Sequence, residues 1–240
     1  MIKSISIIFP FYNEQTRIKK TLKDIKKFNL STKHIKKEFI FVNDGSSDKT
    51  IDIINNFKKN YNNIAIINYK INRGKGYALK RGVKLAKYDW ILTSDSDLSV
   101  SSFQLFEWIN KNYINKKIHI YFGSRNLPTS KVNKRIYRKL IGMIFTFFIS
   151  IIFKIKLTDT QCGFKLYRAK HAKKIFKKII TNGYMHDIEV CLISKIFKLK
   201  IKELPIKWSH VEDSKISLIK DIFKIIYSLL IIKSYEYKKK

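Results

Sequence analysis

Three short apolar runs in the first hundred residues each stop abruptly at small polar and acidic residues, and this pattern restricts the fold more than any other feature of the chain. Ile5 to Phe9 leads into Pro10, Phe11, Tyr12, Asn13 and Glu14. Phe39 to Val42 leads into the segment from Asn43 and Asp44 to Thr50, and Trp90 to Thr93 into Ser94, Asp95, Ser96 and Asp97. A strand apolar at successive residues is buried on both faces, as in a parallel sheet covered by helices. Ligands of such sheets bind beyond the carboxyl ends of the strands. The three polar ends therefore mark one edge of the sheet as functional.

Periodicity extends the pattern. Strand-like runs near 4–9, 37–43, 63–68, 88–94 and 118–123 alternate with helical spacing near 14–29, 47–59, 76–87 and 101–115. This alternation predicts an α/β fold, a Rossmann-like, mostly parallel sheet with helices on both faces. Ser101 and Ser102, ahead of Phe103, Phe106 and Ile109, predict a capped helix after the Asp97 loop. A chain of 240 residues is long enough to bury a full core in one domain.

Asp95 and Asp97, one residue apart at a strand's end, offer hard oxygen ligands for a divalent cation that carries a phosphate-bearing substrate. Pro10, Tyr12 and Asn13 form a tight loop whose ring and amides can hold a base and ribose. In Asn72-Arg73-Gly74-Lys75-Gly76, two glycines and two cations let backbone amides and positive charge approach a diphosphate. The stretch Asn43 to Thr50 also reads as an ordinary turn and helix cap, with Ser47 or Asp48 at the cap.

Fifty Lys and Arg against 18 Asp and Glu give a formal charge of +32, which favours anionic partners. Much of the excess is Lys scattered among Ile and Asn, so coding bias accounts for part of it. Cys162 and Cys191 are the only cysteines, lack metal-ligand spacing, and read as small reduced core residues. The first strand begins by Ile5 with no charged and apolar leader, so the expectation is catalysis facing the cytoplasm.

After Arg125 a basic segment with Arg135 runs into Leu140 to Phe153, fourteen uncharged residues. As a helix these span about 21 Å, short of the ~30 Å hydrocarbon core. A helix over about 134–153 is therefore expected to lie in a membrane interface rather than to cross. From Ser214 to Tyr237, Leu218, Ile219, Ile222, Phe223, Ile226, Leu229 and Leu230 recur at helical spacing beside lysines, as in an amphipathic helix for an anionic membrane surface. The expected division is a catalytic domain over 1–213 and this basic helix over 214–240.

With these residues in view, the chain resembles the inverting glycosyltransferases of family 2 with the GT-A fold, and within them the dolichyl-phosphate β-glucosyltransferases and related polyprenyl-phosphate sugar transferases. Asp159-Thr160-Gln161-Cys162-Gly163-Phe164-Lys165, with the later Trp208 and Ser214-Lys215, carries the likeness most specifically. The resemblance implies that Pro10, Tyr12, Asn13, Glu14 and Asp44 contact the nucleotide, Asp44 accepting from uracil. It sets Arg73, Gly74 and Lys75 beside the nucleotide, Asp97 as ligand of Mg²⁺ or Mn²⁺, and Asp95 against the ribose or sugar. Asp187 and Glu189 fall near sugar and acceptor as catalytic carboxylates. Arg125, Arg135 and Lys165 are candidates for the acceptor phosphate, and Lys215 for the donor diphosphate or the same site. Two positions depart from the family pattern: His186 replaces the usual Phe, and Asp213 stands where Gly usually precedes Ser-Lys.

The activity implied is transfer of a hexose from a nucleotide sugar, UDP-glucose foremost, to a polyprenyl phosphate at the cytosolic face of a membrane. GDP-mannose, or another glycan or lipid acceptor, is the alternative within the class. A non-catalytic basic module that binds membrane or nucleic acid is the alternative outside it, and no nucleic-acid motif supports a nucleic-acid partner.

Overall fold

The structure is a computed structural model that describes residues 2–133, 148–210 and 218–235. A seven-stranded sheet forms its centre, built from β1 (Ser4–Phe11), β2 (Lys36–Asp44), β3 (Ile64–Tyr69), β4 (Trp90–Thr93), β5 (Ile120–Ser124), β7 (Lys165–Arg168) and β8 (Ile201–Pro205) in the order β3-β2-β1-β4-β7-β5-β8. Every pairing is parallel except those of β7, which runs antiparallel between β4 and β5. A small ribbon pairs β6 (Lys131–Asn133) with β9 (Lys207–Ser209).

Side-chain alternation sorts the core into two layers. Ile5, Ile7, Phe9 and Phe11 of β1 point to one face with Phe39 and Phe41, where they meet α1 (Ile18–Ser31), α2 (Thr50–Lys58) and α4 (Phe103–Asn110). Ile8, Ile40, Val42 and Ile91 point to the other, against α3 (Lys75–Leu85), α5 (Ala169–Lys178) and α6 (His186–Ile196). Burial on both faces is what gives these strands their unbroken apolar runs.

Two local expectations change in detail. The helix after the Asp97 loop is α4, but Ser102 makes no side-chain cap bond. Ser101 Oγ accepts from the Phe103 amide, and Asp24 of α1 accepts from the Ser101 hydroxyl and the Ser102 amide, so the cap is shared between two helices. The antiparallel β7 has no counterpart among the expected strands, because its four residues begin with a lysine that only tertiary pairing allows to be buried.

Of the expected interfacial helix, 134–147 lies outside the described residues. Residues 148–153 are helical, with Ile149 and Phe153 buried and Phe148, Ile151 and Ile152 exposed. The final helix, α7 (Leu218–Ser234), buries Ile232 in the same core cluster and sets Ile225 and Leu229 against it. Phe223, Ile226, Tyr227 and Leu230 are left exposed.

His171 on α5 packs its ring edge-on to His119 at 4.7 Å. Burial, reinforced by His119 and nearby cations, lowers its pKa from 6.5 to about 4. The unfolded chain then takes up a proton as pH falls through 6.5 while the folded chain does not until about 4, so this stability is complete above 6.5 and lost across that window. The melting midpoint of His171→Leu should fall less steeply than that of the unaltered protein between these pH values; parallel slopes would exclude His171 as the titrating group.

Candidate active site

The carboxyl ends of β1, β2 and β4 and the start of α3 enclose a cavity of about 310 Å³. Pro10, Phe11, Tyr12, Glu14 and Arg17 line one side, Asp44, Asn72, Gly74 and Lys75 a second, and Asp95, Ser96, Asp97, Gly183 and Tyr184 the rest. Segments more than a hundred residues apart thus converge on the edge marked by the three polar strand ends.

The loop after β1 is locked to the loop after β2. Asn13 adopts φ 50, a left-handed conformation that asparagine tolerates. Its Oδ1 accepts from the Ser47 amide at 2.8 Å, and its own amide donates to Ser46 Oγ at 2.9 Å. The Glu14 amide donates to Thr50 Oγ1, and the Glu14 carboxylate receives both Arg17 Nε and an Arg17 terminal nitrogen, at 2.8 and 2.6 Å. Tyr12 stays substantially exposed at the cavity mouth.

Asp44 fixes the glycine-containing turn. Its carboxylate accepts from the amides of Arg73 and Gly74 at 2.8 and 2.9 Å and from Asn72 Nδ2 at 3.0 Å. Burial and the Asp44 charge hold the Tyr69 hydroxyl well above its ordinary pKa. Two glycines make this approach possible: Gly45, next to Asp44, has φ 66 and Gly74 in the turn φ 97, and a Cβ at either would collide with backbone, of Ile71–Asn72 and of Asn182 respectively. Arg73 turns outward onto Tyr77, its guanidinium 4.9 Å from the ring, and does not line the cavity.

Asp95 and Asp97 stand in different environments. Lys75 Nζ lies 2.5 Å from Asp95 Oδ1. Despite opposing burial, Asp95 holds the Lys75 ammonium above the ordinary lysine range. Asp97 Oδ1 accepts from the Ser99 amide and hydroxyl at 2.9 and 2.8 Å, an arrangement set by Leu98 at φ 60. Burial, followed by the Asp95 charge, pushes the Asp97 carboxyl above its ordinary pKa. Positive charge brought beside Asp97 would relieve both effects. Among the described residues no three His, Cys, Asp or Glu side chains cluster as a metal centre. Two cavity-facing carboxylates suit a hard cation whose remaining ligands are water and phosphate, the usual Mg²⁺ pattern.

The acids of α6 serve the interior. The ammonium of Lys165, only 1% exposed, donates to the Thr160 carbonyl at 2.9 Å and to the Asp187 carboxylate in a very short contact. Burial alone would raise the Asp187 pKa, but His186, Lys165 and Lys75 hold it below the usual range. Lys165 is therefore committed to Asp187, and this placement is at odds with its expected role on an acceptor phosphate. Glu189, fully buried, accepts from the Ile180 and Thr181 amides and the Thr181 hydroxyl, so it anchors the loop that carries Gly183 and Tyr184 to the cavity. Neither Asp187 nor Glu189 lines that cavity.

Arg125 makes two side-chain bonds to Asp159, both 2.7 Å, and sits 6.0 Å from the Trp208 ring. Its side chain keeps 21% exposure. Arg135 and Lys215 lie outside the described residues. Arg17, Ser99 and Tyr184 are not among the expected site residues: Arg17 and Ser99 act through short-range bonds to Glu14 and Asp97 that no spacing pattern announces, and Tyr184 sits in a loop without a pattern, while Asn72, named only as part of its turn, reaches Asp44 across 28 residues. The role of Gly163 also emerges only here: a Cβ there would collide with the Asp95 carboxylate.

The family model described as Glycosyl transferase family 2 matches residues 6–176. The chain belongs to glycosyl transferase family 2. This family 2 enzyme is 32% identical over 223 residues to the dolichyl-phosphate beta-glucosyltransferase ALG5D of Trichomonas vaginalis, a match spanning 89% of this chain and 68% of that protein. It is also 32% identical over 247 residues to the dolichyl-phosphate beta-glucosyltransferase of Saccharomyces cerevisiae, with 95% and 74% covered. The human protein of the same name is 29% identical, with 89% and 70% covered. Among solved structures, glucosyl-3-phosphoglycerate synthase of Mycobacterium tuberculosis in complex with Mn²⁺, UDP and glucosyl-3-phosphoglycerate superposes with a TM-score of 0.70 at 15% identity, covering 99% of this chain and 82% of that one. The same synthase with Mn²⁺ and UDP-glucose gives 0.68 at 14% identity, covering 99% and 81%. The expected GT-A fold of this glycosyltransferase is thus observed.

Proposed function

We propose that this family 2 glycosyltransferase moves glucose from UDP-glucose to a dolichyl-type polyprenyl phosphate with inversion, at the cytosolic face of a membrane. The observation that carries the reading is the cavity that joins the β1 loop, Asp44, the Gly74–Lys75 turn and both acids, in a chain whose relatives are named for glucosyl transfer to dolichyl phosphate.

Tyr12 and Asn13 hold the base and ribose, and Asp44 shapes their pocket by pinning the turn. Gly74 and Lys75 approach the diphosphate. Asp97, oriented by Ser99, would hold Mg²⁺ or Mn²⁺ with Asp95 beside it at the ribose or sugar. When bound, that cation neutralises charge on the departing nucleoside diphosphate. An acceptor phosphate is already an anionic nucleophile, so the protein's task is to position it and compensate its charge rather than to deprotonate it. Arg125, held in a fixed orientation by Asp159, is the described residue suited to that task. Arg135 and Lys215 remain proposed contributors, to the acceptor phosphate and to either phosphate respectively.

Competition with a fluorescent nucleotide in Mn²⁺ tests the donor: UDP should displace it at far lower concentration than GDP. The reverse order would favour a guanosine donor.

Membrane association rests on two outward apolar faces. Residues 148–153 and α7 bury their inner sides in the same core cluster, which sets Phe148, Ile151 and Ile152 on the same side of the sheet as Phe223, Ile226, Tyr227 and Leu230. No described helix is long and apolar enough to cross a membrane. A surface that is apolar and basic suits peripheral binding to anionic lipid. Replacing Phe223, Ile226, Tyr227 and Leu230 together by serine should release the protein from phosphatidylserine-containing vesicles in a flotation assay while its melting temperature changes little. Undiminished flotation would contradict this anchor.

A further inference from the structure

Behind Asp95 lies a second cavity of about 20 Å³, lined by Asp95, Val100, Arg125, Gln161, Gly163 and Trp208 among others. It has room for about one water-sized group, too little for a phosphate. Its walls are fixed. Lys75 holds Asp95 from the main cavity side, Asp159 holds Arg125 with two bonds of 2.7 Å, and the missing side chain of Gly163 is what admits the Asp95 carboxylate.

Gln161 is anchored through its backbone, whose amide donates to Asp159 Oδ1 at 3.1 Å. Its side-chain Nε2 is buried and has no hydrogen-bond partner among the described residues, as is true of the adjacent Thr160 hydroxyl. A buried donor without an acceptor is costly, and native structures retain one where a ligand or water completes it. Asp95, which lines the same cavity, is an acceptor. A small cavity lined by both a donor and an acceptor complements a hydroxyl group, which both accepts and donates. Because Asp95 also lines the main cavity, that hydroxyl belongs to the transferred sugar rather than to the base.

We propose that Gln161 is a specificity-determining residue whose amide, together with Asp95, binds one hydroxyl of the transferred hexose. This inference rests on the nucleotide-sugar reading of the main cavity. The test measures kcat/KM for UDP-glucose and for its 2-, 3-, 4- and 6-deoxy analogues, with the unaltered enzyme and with Gln161→Ala. The substitution should lower kcat/KM for UDP-glucose about 10–100-fold, leave UDP affinity unchanged, and have almost no effect on one deoxy donor, the one lacking the bound hydroxyl. Gln161→Met, which keeps the length and removes the donor without adding a charge, should show the same selective loss and guards against a folding defect. An equal loss across all donors would overturn the proposal. So would a raised KM for polyprenyl phosphate with donor ratios unchanged, since the amide would then serve the acceptor. Turnover of UDP-glucose by the unaltered enzyme tests the proposed function separately, and the donor ratios test the subsite alone.

Discussion

Asp97→Ala is expected to lower kcat/KM on the order of 10³-fold and to abolish the cation-dependent part of UDP binding. Asp95 is already paired with Lys75, and among the described residues no cluster of three metal-binding side chains offers a substitute ligand set. Asp97 is set apart by the two Ser99 bonds to a single oxygen, which leave the other free to face the cavity. Asp97→Asn keeps the shape and removes the charge, so it should lose cation dependence almost as completely. Burial and the neighbouring Asp95 hold the Asp97 carboxyl above its ordinary pKa, so a cation must compete with a proton. Mn²⁺-dependent UDP binding should therefore weaken as pH falls through that raised value, and the Asn variant should lack this dependence. Cation-dependent binding that persists in Asp97→Ala would show that the ligand lies elsewhere.

Lys165→Ala is expected to destabilise the fold by about 3–5 kcal/mol, because it leaves a buried Asp187 carboxylate without its closest cation. For a chain of this size that corresponds to a fall of roughly 10 °C in melting midpoint. Lys75 and His186 also lie near Asp187 and soften the loss, but neither reproduces the direct contact with Lys165. Replacing both partners, as in Lys165→Met with Asp187→Leu, should recover much of the stability, since a buried pair removed whole is far less costly than one broken. If Lys165→Ala kept its melting midpoint and lost only affinity for lipid phosphate, the lysine would be an acceptor ligand after all.

The two acids illustrate what the sequence discloses and what it withholds. Asp95 and Asp97 are legible because an apolar run ending in carboxylates has few other uses at the edge of a parallel sheet. Asp187 and Glu189 are visible as charged residues on a helix, yet their partners are Lys165, Ile180 and Thr181, which only the folded chain brings to them. Lysine in the sequence reads as surface or phosphate ligand. That Lys165 is buried depends on the insertion of β7 between β4 and β5, a pairing its four residues do not announce. Gly163 is similar: its role is an absence of atoms beside Asp95, and absence has no periodicity.

The core tells the opposite story. Alternation along β1 and β2 sends Phe9 and Phe41 to one face and Ile8 and Ile40 to the other, so both helical layers follow from the strands themselves. The Asp159 to Lys165 segment gains a physical meaning that its spelling alone lacks. Asp159 orients Arg125, Gly163 makes room for Asp95, Phe164 stacks edge-on to Trp108 at 5.1 Å, and Lys165 secures Asp187.

The most direct test of the proposed activity is acceptor-dependent release of UDP from UDP-glucose by the purified chain, with Mn²⁺ and a short polyprenyl phosphate in detergent. UDP release should require both the cation and the lipid phosphate, with glucose recovered on the lipid. No release from UDP-glucose under these conditions, with release of GDP from GDP-mannose instead, would contradict that activity.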